Sequence, residues 1–117
     1  MTICNALASV AVKDVSASRA WYDKLLGSEG TMPMPEVAEW MFPRGGGLQV
    51  YELPERVGKC SFTLVVEDIE SEVRKLQALG IDTSQHSSSS QVKTVMITDA
   101  DGNHIALAEA MDPALAR

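Results

Sequence analysis

Two short segments of this 117-residue chain occur twice, in the same order, and that repetition limits its fold more than any other feature. Val12-Lys13-Asp14-Val15 matches Val66-Glu67-Asp68-Ile69, and each lies between an apolar stretch and an amphipathic stretch that ends in Leu-Gly. Leu48-Gln49-Val50-Tyr51-Glu52 matches Ile105-Ala106-Leu107-Ala108-Glu109, and each follows a glycine-bearing turn. A duplicated unit that cannot bury its apolar face alone pairs with its copy. The expectation is one domain over residues 1–117, built from module one, about 4–54, and module two, about 58–110.

The segments between these anchors give each module the order β-α-β-β-β. Ala6 to Val12 reads as a strand. The following stretch is a short helix with Ser16 as N-cap, Val15 stapled against Ala20, Ala17, Ala20, Trp21 and Leu25 on one stripe, and Gly27 as its stop. Met32-Pro33-Met34-Pro35 reads as a loop, because alternate prolines remove donors and fix φ. Val37–Phe42 and Leu48–Leu53 are strands separated by the Gly45-Gly46-Gly47 turn. In the second module Lys59–Val66 is a strand, and Asp68–Leu79 is a helix with Ile69, Val73, Leu76 and Leu79 on one side, stopped by Gly80. Thr83–Ser90 is a loop or weak edge strand. Val92–Thr98 and His104–Ala108 are strands joined by the Ala100-Asp101-Gly102-Asn103 turn, and the tail after Asp112 is expected to fray.

Strand alternation sorts the faces. Ala8, Val10 and Val12, then Phe62, Leu64 and Val66, and Ile105 with Leu107 are the expected helix-covered core. The opposite face carries Asn5, Leu7, Ser9, Ala11, Gln49, Tyr51, Ser61, Thr63, Val65, His104, Ala106 and Ala108. Being mixed polar and small, it is the expected ligand surface. In the third strand either Trp40 and Phe42 or Glu39 and Met41 face it. Glu52 and Glu109 point the other way and read as rim or solvent charges.

Composition narrows the partners. A formal net charge of −6 argues against nucleic acid, which needs clustered Lys and Arg, and favours cationic or neutral small ligands. Apolar runs are too short to span a bilayer. Cys4 and Cys60 lack CxxC spacing and no secretory leader precedes them, so they read as reduced thiols in a cytoplasmic protein. No Gly-x-Ser-x-Gly elbow is present, and Gly45-Gly46-Gly47 leads into a strand, so it is not a phosphate loop.

The segments VAVKDVSASRAWYDKLLG, LVVEDIESEVRKLQALG and TDADGNHIALAE together resemble the vicinal oxygen chelate superfamily of glyoxalase, bleomycin-resistance and extradiol dioxygenase proteins. The third resembles that family's DPDGN turn, with Ala100 in place of proline. The resemblance implies an α+β fold of two βαβββ modules forming a cupped, half-open mixed β-sheet barrel with helices outside, and pairing as a homodimer. It also implies that metal-ligand positions fall on Leu7, Gln49, Ser61 and Ala106, where only Gln49 carries a usable donor. No metal and no cofactor are therefore expected.

The reading that follows is a metal-free protein that sequesters a small organic molecule, in the manner of antibiotic resistance proteins. The expected lining is Leu7, Ser9, Trp40, Gln49, Tyr51, Ser61, Thr63 and His104. One alternative is a glyoxalase-like lyase, isomerase or dioxygenase-related enzyme with a non-standard site, using His104 or Tyr51 as acid–base group. Another is an interaction module whose cup is filled by Met32, Met34, Met41 and Trp40. His86, in a serine-rich segment, reads as solvated, and Trp21 as core.

Overall fold

A computed structural model describes residues 2–111 of the chain, so the expectation for the tail after Asp112 lies outside the described residues. The fold is α+β, with two similar modules in which one helix covers one face of a four-stranded mixed sheet. By contacts the chain divides into two compact units. Among the described residues, the first runs to Cys60 and includes Ala100–Asn103; the second takes Ser61–Asp99 and residues 104–111. The turn of the second repeat thus belongs to the first unit.

In the first unit the elements are β1 (Leu7–Val12), α1 (Val15–Leu26), β2 (Thr31–Met34), β3 (Val37–Met41) and β4 (Gly47–Glu52), followed by a 3-10 turn at Pro54–Arg56. The sheet order is β1-β4-β3-β2, with β1 parallel to β4 and the other pairs antiparallel. Valines and aromatics populate these strands, as a pleated, half-covered surface favours. Val10, Val12, Leu48, Val50, Ala38 and Trp40 are buried on the face under α1, each large aliphatic contributing about 1.5–3 kcal/mol.

The α1 stripe differs from the expected one. Val15, Ser18, Tyr22 and Leu25 are buried, whereas Ala17 and Ala20 are exposed and Trp21 is half-buried. The stripe rotates because the helix starts earlier: the N-cap is Asp14, not Ser16, and its carboxylate accepts from Ser16 N at 3.0 Å and Ala17 N at 3.2 Å. Val15 is consequently the first helical residue, buried rather than stapled outside the cap. Gly27 closes α1 in the left-handed conformation, φ 70°, as a glycine stop should.

The Met32–Pro35 segment is a second difference. Thr31–Met34 forms β2 at the sheet edge, where the missing donor of Pro33 breaks no interior ladder, and the pairing with β3 shifts register between Thr31 and Met34. The outer edge of the sheet at β1 is closed differently. Asn103 Nδ2 donates to Ala11 O at 2.8 Å, Ala11 N donates to Cys60 Sγ at 3.4 Å, and Lys13 N donates to Asp101 Oδ2 at 3.0 Å. Side chains thereby satisfy edge groups that would otherwise invite another strand.

In the second unit β5 (Ser61–Val65), α2 (Ile69–Ala78), β6 (Gln85–Ser88), β7 (Val92–Thr98) and β8 (His104–Ala110) give the order β5-β8-β7-β6. The serine-rich segment is an edge strand, with all four β6 residues exposed. Ile69, Leu76, Val95, Ile97, Ile105 and Leu107 are buried, and Phe62, Leu64 and Val73 are half-buried, whereas Leu79 is exposed just beyond the helix end.

Candidate functional site

The first sheet leaves one face without a helix. Register places three rows across it: Leu7–Gly47–Met41, then Ser9–Gln49–Glu39–Thr31, then Ala11–Tyr51–Val37–Met34. The middle row is polar and connected. Ser9 Oγ donates to Gln49 Oε1 at 3.4 Å, and Gln49 Nε2 donates to Glu39 Oε2 at 2.8 Å. The Gln49 amide is therefore oriented, its oxygen toward Ser9 and its nitrogen toward a carboxylate. The flanking rows are apolar, and Leu7, Met34 and Met41 are exposed on them.

The face choice in β3 settles on Glu39 and Met41, so Trp40 is not a lining residue of this face. Its indole is buried under α1, and Nε1 donates to Asp23 Oδ1 at 3.0 Å and to Ser28 O at 3.2 Å. Tyr22 stacks at a tilt on the same ring, centroids 5.8 Å apart. The indole N–H needs a partner when buried, and only the helix side offers one. Of the side chains expected to fill the cup, Trp40 lies beneath the sheet, Met34 and Met41 are exposed and Met32 is half-buried.

The second sheet has an equivalent face. Its rows are Ser61–His104–Thr98, Thr63–Ala106–Met96–Gln85 and Val65–Ala108–Thr94–Ser87. Ser61, Thr63 and His104 are exposed, Ala106 is half-buried, and Ser87 Oγ lies 2.6 Å from Thr94 Oγ1. His86 faces the helix side, where it lines a cleft of about 750 Å³ with Ile69, Val73, Gln77, Ile81 and Lys93.

Glu52, which is exposed, and Glu109, which is half-buried, point away from the open faces, and each also has a backbone partner. Glu52 Oε1 accepts from Val15 N at 3.1 Å, and Glu109 Oε1 accepts from Ile69 N at 2.8 Å, so each caps a helix start. Sequence reasoning also missed Asn103. Its side chain is fully buried, accepting from Gly58 N at 3.0 Å and Cys60 N at 3.2 Å while donating to Ala11 O. The signal was present in the turn itself: an Asn directly before a strand offers both an acceptor and a donor.

The donor set does not suit a divalent ion. On the first sheet Leu7 carries no donor atom and Gln49 is already engaged with Ser9 and Glu39; on the second, taken by itself, Ala106 carries none and Ser61 offers only a hydroxyl. Among the described residues no group of three or more His, Cys, Asp or Glu side chains stands where it could hold a metal. Nor is any helix among them long and apolar enough to cross a membrane.

A family model described as Glyoxalase-like domain matches residues 8–108. Among solved structures, a glyoxalase/bleomycin resistance protein from Catenulispora acidiphila is 34% identical, with a TM-score of 0.82, covering 92% of this chain and 99% of that one. TnmS3, an antibiotic binding protein from a Streptomyces species, is 21% identical with a TM-score of 0.80, over 94% of this chain and 98% of that one. A lactoylglutathione lyase from Agrobacterium tumefaciens is 16% identical with a TM-score of 0.75, over 93% and 95%; these last two share the fold. No curated protein matches the chain. With a family model spanning most of its length and a close homologous fold at 34% identity, the chain belongs to the glyoxalase-like domain family of the vicinal oxygen chelate superfamily.

Proposed function

We propose that this protein binds a small organic molecule against the open faces of its sheets without using a metal ion. The fold does not choose the function, since it serves an antibiotic binding protein and a lyase alike. The side chains support the choice. The observation that carries it is the poverty of donor atoms at the positions that the family resemblance implies for metal ligands, Leu7 and Gln49 in the first module and Ser61 and Ala106 in the second. Two hydrocarbon side chains, a hydroxyl and a neutral amide do not compete with water for a divalent ion.

The same positions suit a ligand of mixed polarity. In the first sheet Leu7 and Tyr51 offer apolar surface on either side of Ser9 and Gln49, and burial of apolar ligand area there supplies about 25 cal/mol per Å². In the second sheet Ser61, Thr63 and His104 form an exposed polar strip that can orient a ligand through hydrogen bonds. A homodimer and a cytoplasmic location belong to the same reading.

The test is elemental analysis of purified protein together with thermal melts against manganese, nickel, zinc and a panel of aromatic small molecules. Midpoint shifts with organic compounds and none with metals are expected. Stoichiometric divalent ion surviving purification would overturn the reading.

A further inference from the structure

We infer that the open face of the first sheet recognises an organic cation, with the Glu39 carboxylate as its anchor; this rests on the binding reading above and names the ligand class. Glu39 is half-buried at the centre of that face, and its carboxylate accepts a hydrogen bond from the neutral amide of Gln49 at 2.8 Å. Arg19 pairs with Asp23 and Glu29, and Lys93 with Glu70; none of these pairs reaches Glu39. The polar row Ser9–Gln49–Glu39 therefore carries one uncompensated negative charge.

The surroundings select the kind of cation. Met41 and Val37 flank Glu39 on its own strand, Tyr51 follows Gln49 on the same face of β4, Leu7 lies one row away on β1, and Met34 adds exposed apolar surface. A divalent ion needs several strong donors and finds one carboxylate. An ammonium or guanidinium on an apolar body needs one carboxylate and hydrocarbon contact, which this face provides. A partly desolvated charge pair is stronger than an exposed one, and thioether side chains adapt to varied shapes.

The probes are naphthylmethylamine, cationic at neutral pH, and naphthylmethanol, its neutral counterpart with the same ring. Calorimetric titration of the full chain at low salt is expected to show the amine binding about tenfold more tightly than the alcohol. Added salt should narrow that ratio. Glu39→Gln should bring the ratio to about one while leaving the alcohol's affinity in place, and Glu39→Asp should retain the preference. Equal binding of the two probes by the wild type, or a preference that survives in Glu39→Gln, overturns the cation assignment and leaves the binding reading standing. Binding of neither probe overturns both. A dimer in sedimentation that excludes the probes, and that Glu39→Gln loosens, would make a second copy of the chain the occupant and also overturn the assignment.

Discussion

Glu109 Oε1 accepts the backbone N–H of Ile69 at 2.8 Å, so the last strand of the second module caps the first turn of that module's helix. The first module repeats the arrangement with Glu52 and Val15 at 3.1 Å. In both, an aspartate at the N-cap serves the neighbouring amides: Asp14 those of Ser16 and Ala17, Asp68 that of Ser71 at 3.3 Å. The two repeated segments of the sequence, one holding the Asp and one holding the Glu, thus meet at a single structural point in each module. The repetition preserves the set of acceptors for a helix N-terminus.

Removing that acceptor has a graded expectation. Glu109→Ala leaves the Ile69 N–H without its partner and removes a negative charge from the positive end of α2, and should cost about 1–2 kcal/mol. Glu109→Gln keeps an acceptor oxygen and loses only the charge, so its cost should be about 0.3–1 kcal/mol. Urea unfolding of the two variants measures the difference; equal losses would mean that the hydrogen bond contributes nothing beyond charge.

The buried Asn103 side chain joins three backbone groups of the first unit. Replacing it with Ala orphans the N–H groups of Gly58 and Cys60 and the carbonyl of Ala11. Each unsatisfied buried group costs about 1–3 kcal/mol, reduced where water enters. Asn103→Ala should therefore destabilise by about 2–4 kcal/mol in denaturant unfolding. Asn103→Asp should recover little, because it keeps the acceptor, loses the donor to Ala11 and buries a charge.

Asp82 gives the acid side a small, signed effect. Hydrogen bonds from the Ser84 backbone N–H and then its side chain hold this fully exposed carboxyl below its ordinary 3.8. A depressed folded-state value stabilises the fold above the unfolded value and is lost as pH falls through the folded one. Stability of the wild type should fall slightly more steeply than that of Asp82→Asn below about pH 4, read by thermal melts at stepped pH. Parallel curves would show the turn to be indifferent to that charge.

The parts of this fold legible in the sequence are those where a local pattern and its tertiary role coincide. The Val-x-Asp-Val and Val-x-Asp-Ile joints, the alternation of Val10 and Val12 against Ser9, and the Asp-Gly-Asn turn all fall where expected. The helix stripe differs by one residue because Asp14 and Ser16 both fit the cap rule, and the Asp14 cap bonds together with the Glu52 contact fix the start at Val15. Pro33 misled because local geometry excludes an interior strand but not an edge one, and edge position is a tertiary fact. In β3 both faces carry apolar residues, so periodicity left Trp40 and Glu39 interchangeable. The choice rests on Asp23, seventeen residues away along the chain, which sequence pattern does not connect to Trp40.

That Asp23–Trp40 link, together with Gly30, supports the last prediction. Asp23 Oδ1 accepts from Gly30 N at 2.8 Å as well as from the indole, which draws the loop backbone flat against the ring. A Cβ at position 30 would sit 2.5 Å from Trp40 Cε2 and 2.7 Å from Cζ2, and the indole is held by its hydrogen bonds and by Tyr22, so it cannot swing aside. Gly30→Ala should accordingly cost about 1–3 kcal/mol as an overpacking change. Trp40→Phe relieves the crowding but strands part of the Asp23 carboxylate, and should cost a similar amount by itself. Combined, the two changes should be less damaging than their sum, because the smaller ring makes room for the methyl. Since Trp40 lies on the helix side, neither variant should alter the affinity for a ligand on the open face beyond what lost stability explains. A double-mutant cycle by urea unfolding checks the coupling, and strict additivity would mean that the ring and the glycine do not share the space as described.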